Sequence, residues 1–187
     1  MKRTTPKRSG CGRRGFTIIE AIATMTVLAA IGSVTSVIIH TTMDSYTAGS
    51  VSAQLHSELS ITMDRIMRAL RKIPRDSGAS GTAPNIDSVS ATSITWDTDY
   101  TLGLSGTNVI YTEDGGTPTV LQSNVTAFGI QAYNESNTAM AATLSGTNCD
   151  PIRRLLITIT VQRNGVTESL RAKLFVRETM VGTQVAP

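Results

Sequence analysis

Glu20 is the only ionisable residue in the 24-residue stretch 16–39, FTIIEAIATMTVLAAIGSVTSVII. A lone acid inside a membrane span costs about 3 kcal/mol or more unless it is neutralised, so its presence marks a partner. Phe16 lies four residues earlier, on the same helical face. A cut between Gly15 and Phe16 would create an α-amino cation at Phe16, near the depth of Glu20. That cation could neutralise Glu20 within one subunit or between two. The chemistry implied is charge pairing in an apolar setting, prepared by proteolysis.

Other reactive residue types form no catalytic pattern. His40 and His56 are the two histidines, sixteen residues apart on one helical stretch. They cannot form the i,i+4 zinc pair of a metalloprotease helix. No glycine-rich phosphate loop and no nucleophile elbow occurs. Asp97, Asp99, Glu113 and Asp114 could gather as a calcium site, although loop acids are usually just solvated. Asn124-Val125-Thr126 and Asn134-Glu135-Ser136 match the glycosylation pattern, which is short enough to arise by chance. Cys11 and Cys149 are the two cysteines; cleavage before Phe16 leaves Cys149 unpaired, and it reads as a small loop residue. The expectation is a non-enzymatic chain with no cofactor and no metal.

The charge distribution supports the cut. The chain has 17 basic and 14 acidic residues and a pI near 9.1. Six of the basic residues (Lys2, Arg3, Lys7, Arg8, Arg13 and Arg14) fall in residues 1–15, which hold no acid. Residues 16–187 therefore keep 11 basic against 14 acidic residues, a side-chain charge of −3. High pI is a property of the leader, so binding of nucleic acid is not expected.

The stretch 16–39 is long enough, at about 1.5 Å per helical residue, to cross about 30 Å of hydrocarbon. The leader charges before it favour an N-terminus inside the cytoplasm. A conventional secretory signal would have a shorter apolar run followed by a small-residue cleavage site. Arg13-Arg14-Gly15-Phe16 hints at a twin-arginine signal, but the run is too long and too hydrophobic. Ser9-Gly10-Cys11 mimics a lipoprotein box on the wrong side of the run. A plain signal anchor fits the length and leaves Glu20 unexplained.

Gly15-Phe16-Thr17-Ile18-Ile19-Glu20, following a short basic leader, resembles the prepilin processing motif of type IV pilins and type II secretion pseudopilins. The resemblance covers roughly the first 40 residues. It implies cleavage after Gly15 by a membrane prepilin peptidase, which also N-methylates Phe16. It further implies that Glu20 attracts the Phe16 amine of a neighbouring subunit during assembly. The implied partners are other pilin or pseudopilin subunits, the peptidase, an inner-membrane assembly platform and the lipid bilayer. The implied location is the bacterial inner membrane, with the distal domain outside, and then a periplasmic or extracellular filament.

The elements that must position this motif follow from periodicity. Leu55, Leu59, Met63, Ile66, Leu70 and Ile73 recur at steps of four and three, an amphipathic stripe. Asp64 and Arg68 form an i,i+4 pair beside it. Pro74 disfavours helix at Ile73, so one helix should run from about Thr17 to about Lys72. Gly32-Ser33 and Gly49-Ser50 are its expected weak points. Residues 75–85 read as a loop, and β texture follows, with strands at 89–96, 108–113, 127–133, 155–163 and 166–176. Asp114-Gly115-Gly116 marks a turn, and 134–150 reads as an exposed polar loop. Asn164-Gly165 predicts a type I′ hairpin in which opposed residue numbers sum to 329.

The fold class expected is α+β: a long N-terminal helix, its first half transmembrane, packed on an antiparallel β-sheet domain. The expected divisions are a leader at 1–15, a membrane and filament-core helix at 16–39, an amphipathic helix at 40–73 and a β domain at 74–187. The stretch LQSNVTAFGIQAYN, with RRLLITITVQRNGVTESLRAKLFVRE later, resembles the C-terminal half of J-type minor pseudopilins and related minor pilins. Two function classes result: a structural filament subunit, read as a minor one, or an exported enzyme or binding domain on a simple anchor. A convergent polar pocket in the β domain would favour the second.

Overall fold

The computed structural model describes residues 15–76 and 83–176. The basic leader up to Arg14, most of the expected 75–85 loop and the last eleven residues lie outside the described residues. The chain divides into two compact units, Met1–Thr47 and Ala48–Pro187.

A single helix, α1, spans Ile18–Leu70. It runs unbroken through Gly32 and Gly49, because a glycine costs only about 1 kcal/mol in a helix. It ends two residues before the expected stop, at Lys72. Arg71 N–H still reaches Met67 O, but Lys72 N–H bonds Ala69 O and Ile73 N–H bonds Leu70 O, a tightening before Pro74. Asp64 and Arg68 form their ion pair on the exposed side.

In the unit that begins at Ala48, the described residues form nine strands in two antiparallel sheets. They are β1 (Ile86–Val89), β2 (Ser93–Trp96), β3 (Tyr100–Ser105), β4 (Asn108–Thr112), β5 (Thr119–Gln122), β6 (Val125–Tyr133), β7 (Leu144–Ser145), β8 (Arg154–Arg163) and β9 (Val166–Phe175). One sheet has the order β5-β4-β3-β2-β1-β7, and the other has the order β6-β8-β9. The C-terminal stripe of α1 packs on this β structure. Leu55, Leu59, Met63, Ile66, Leu70 and Ile73 share one buried cluster with Ile94, Trp96, Leu102, Phe128, Ile157 and Ile159. The fold is α+β, as the periodicities imply.

The C-terminal hairpin has the expected register. Leu155 faces Leu174, Ile157 faces Ala172 and Ile159 faces Leu170. Asn164 and Gly165 both have positive φ, +51° and +79°, as a type I′ turn requires. Ile157 and Ile159 are fully buried, whereas Thr158 and Thr160 lie on the outer face, half-buried.

Three sequence expectations are corrected. The stretch 89–96 is not one strand: the Ser90 hydroxyl accepts the N–H groups of Thr92 and Ser93 and turns the chain between β1 and β2. Strands β3 and β5 were not expected, being centred on a glycine and only four residues long respectively. Residues 134–150 are not simply an exposed loop. They hold β7 and a 3-10 turn, Gly146–Cys149, that buries Cys149 completely.

Candidate functional site: the head of the N-terminal helix

Gly15, Phe16 and Thr17 precede α1 as non-helical chain, and the helix starts at Ile18. Thr17 caps it: its hydroxyl accepts the Glu20 N–H at 3.3 Å, satisfying one of the first-turn donors that no carbonyl can reach. Thr17-Ile18-Ile19-Glu20 is the T-x-x-E pattern of a capping box, a signal legible in the sequence and overlooked in reading it. Glu20 is the acid of the first turn, where the positive end of the helix dipole favours a carboxylate. Phe16 and Glu20 are both exposed, and a Cβ on Gly15 would meet nothing within 4 Å. Gly15, Phe16 and Glu20 are thus all accessible at the helix start, where the cap links Thr17 to the Glu20 backbone.

Behind them, α1 is long and apolar enough to cross a membrane: an 18-residue stretch of it has a mean hydropathy of 2.1, and none of that stretch is buried inside the protein. Ile18, Ile19, Ile22, Met25, Leu28, Ile31, Val34 and Ile38 all expose most of their side chains. Four of its hydroxyls turn back on the backbone. Thr24 donates to Ala21 O, Thr26 to Ala23 O, Ser33 to Ala30 O and Thr35 to Ile31 O, all within 2.9 Å. Each hydroxyl proton is therefore satisfied without water, as an apolar surrounding demands.

Among the described residues, no three His, Cys, Asp or Glu side chains converge as metal ligands. Of the acids suggested for calcium, Asp97 accepts from the Asn85 side-chain amide and Glu113 pairs with Lys72, while Asp99 accepts Gly115 N–H through its backbone carbonyl. Cys149, expected as a small loop residue with no special role, ends the 3-10 turn and is fully buried. Burial, reinforced by Asp150 and Asp87, pushes its pKa up and keeps it neutral, so its nucleophilicity is low. A shallow groove of about 320 Å³ lies between α1 and β5, lined by Ile61, Thr62, Arg65, Val120 and the Glu58–Arg163 ion pair. Arg163 donates to both Glu58 oxygens, at 3.0 and 2.8 Å, and holds the Glu58 pKa below the usual carboxylate value. That carboxylate is committed to an ion pair and is a poor general base.

No family model, curated protein or solved structure matches this chain.

Proposed function

We propose that this chain is a structural subunit of a type IV pilus-like or type II secretion pseudopilus filament, processed after Gly15 and assembled through its N-terminal helix. One observation supports the reading: a single carboxylate, Glu20, sits in the first turn of an apolar helix whose membrane-length stretch is covered by none of the described residues. In lipid alone that carboxylate has no counter-charge. The Phe16 α-amine, created by cleavage and carried by a neighbouring subunit, supplies one. The same helix can pass from lipid to a helix-lined filament core with the Thr24, Thr26, Ser33 and Thr35 hydroxyl protons already bonded to its own backbone. Residues 1–15, with six cations, orient the precursor with its N-terminus in the cytoplasm and the β-rich unit outside.

Mass spectrometry of the protein isolated from its native host tests this. The expected N-terminus is N-methylated Phe16, and Gly15→Leu should leave the leader attached, since a peptidase of this kind needs a small residue there. An intact Met1 would instead support the simple signal anchor, and a start beyond Ile39 would support a cleaved secretory signal.

A further inference from the structure

The outer face of the β6-β8-β9 sheet carries a charge opposite to that of the rest of the unit. Its outward positions hold three cations, Arg154, Arg171 and Lys173, and no acid. Arg154 and Lys173 are fixed in place. The Arg154 guanidinium lies 4.7 Å from the Phe175 ring centre and donates to Glu135 O, while the Lys173 ammonium lies 3.9 Å from the Tyr133 ring centre. Phe175 is nonetheless 48% exposed, so the face combines held cations with uncovered aromatic surface.

The complement lies on the same chain, on the other sheet. Asp97 and Asp99 occupy the β2–β3 turn, and Glu113 and Asp114 follow β4. Gly115 N–H bonds Asp99 O at 2.9 Å and ties the two turns into one acidic rim. All four acids are exposed, and Lys72 is the ion-pair partner of Glu113, at 3.4 Å. The rim is stiff. Asp97, Thr98 and Asp114 have φ of +51°, +59° and +55°, and Thr98 N–H is held by the Asp87 carboxylate at 2.8 Å.

From this charge complementarity we propose that the basic sheet face of one copy docks on the acidic rim of a second copy. The surfaces differ, so the contact is head-to-tail: each bound pair leaves one free basic face and one free acidic rim. Such a contact repeats. It rests on the filament reading and deepens it, because a subunit that touches its own copies must occur in contiguous runs.

The test uses the full-length chain in bacterial membranes, with two differently tagged copies, one carrying Arg171→Cys and the other Asp114→Cys. A mixed disulfide-linked dimer is expected under mild oxidation, and its yield should fall several-fold between about 0.05 and 0.5 M salt, as screening shortens to a few ångströms. Adding Lys173→Glu to the first copy should abolish it, and adding Asp99→Lys and Glu113→Lys to the second should restore it. No mixed dimer, a dimer indifferent to Lys173→Glu, or a loss that the swapped charges do not restore would each overturn the proposal. Circular dichroism of each purified variant separates misfolding from loss of contact. N-terminal mass spectrometry on the same samples separates this proposal from the filament reading: methylated Phe16 without a mixed dimer sinks only the contact, and an intact Met1 with one sinks only the filament.

Discussion

At the scale of single residues, charge placement decides more than charge number. Glu58 and Arg163 are each about two-thirds buried, with side chains 33% and 31% exposed, and join α1 to the end of the C-terminal hairpin. The guanidinium is charged at all accessible pH, so the pair depends on the carboxylate alone. Because the folded-state pKa of Glu58 is depressed from 4.5, its stabilisation is present above that value and is lost as pH falls through the lower folded value. Denaturant titration should therefore find Glu58→Gln less stable than wild type at pH 7, with the gap closing below about pH 4. A gap independent of pH would mean that packing, and not the ion pair, carries the effect. Glu20 was legible for a complementary reason: an acid in an apolar run violates the local pattern. Its Thr17 cap is equally legible, as the T-x-x-E pattern of residues 17–20, which lies inside the stretch that resembles a processing motif.

At the scale of elements, the strands that could be read were those bounded by backbone-specific turns. Asn164-Gly165 demands positive φ twice, so it fixed both the position and the register of β8 and β9. The β1–β2 turn is made by a serine side chain, which looks in sequence like any other residue of a Ser/Thr-rich strand. Membership of two sheets rather than one depends on long-range contacts that no local pattern encodes. The register has an energetic consequence. Ile157 is fully buried against the α1 stripe, while Thr158 faces outward beside Arg171. Ile157→Ala should cost about 2–5 kcal/mol through lost burial and residual cavity. Thr158→Ala should cost well under about 1 kcal/mol, since an outer-face threonine contributes mainly strand propensity. Chemical denaturation of both variants checks the pair, and equal losses would contradict the register.

At the scale of the whole chain, two units serve separable purposes, and Glu20 belongs wholly to the first. Helix α1 exposes its apolar surface on every side up to Tyr46, then buries a stripe from Leu55 onward in the β-rich unit. Among the described residues, nothing before Val51 belongs to the buried cluster or packs against it. Glu20→Ala should therefore leave the melting of the β-rich unit unchanged. It should also leave the helix start in place, because the Thr17 hydroxyl bonds the backbone N–H of residue 20, which alanine retains. Membrane insertion should even improve, since removing a carboxylate from the span recovers about 3 kcal/mol. On the proposed filament reading the substitution removes the counter-charge for a neighbour's Phe16 amine, so the mutant should accumulate in the membrane and be depleted from filaments sheared off the cells. Glu20→Gln keeps the size and loses the charge, and should fail in the same way if the attraction is ionic. Quantifying the subunit in sheared and membrane fractions decides the matter: incorporation of Glu20→Ala at the wild-type level would show that Glu20 serves only as the first-turn acid of its own helix.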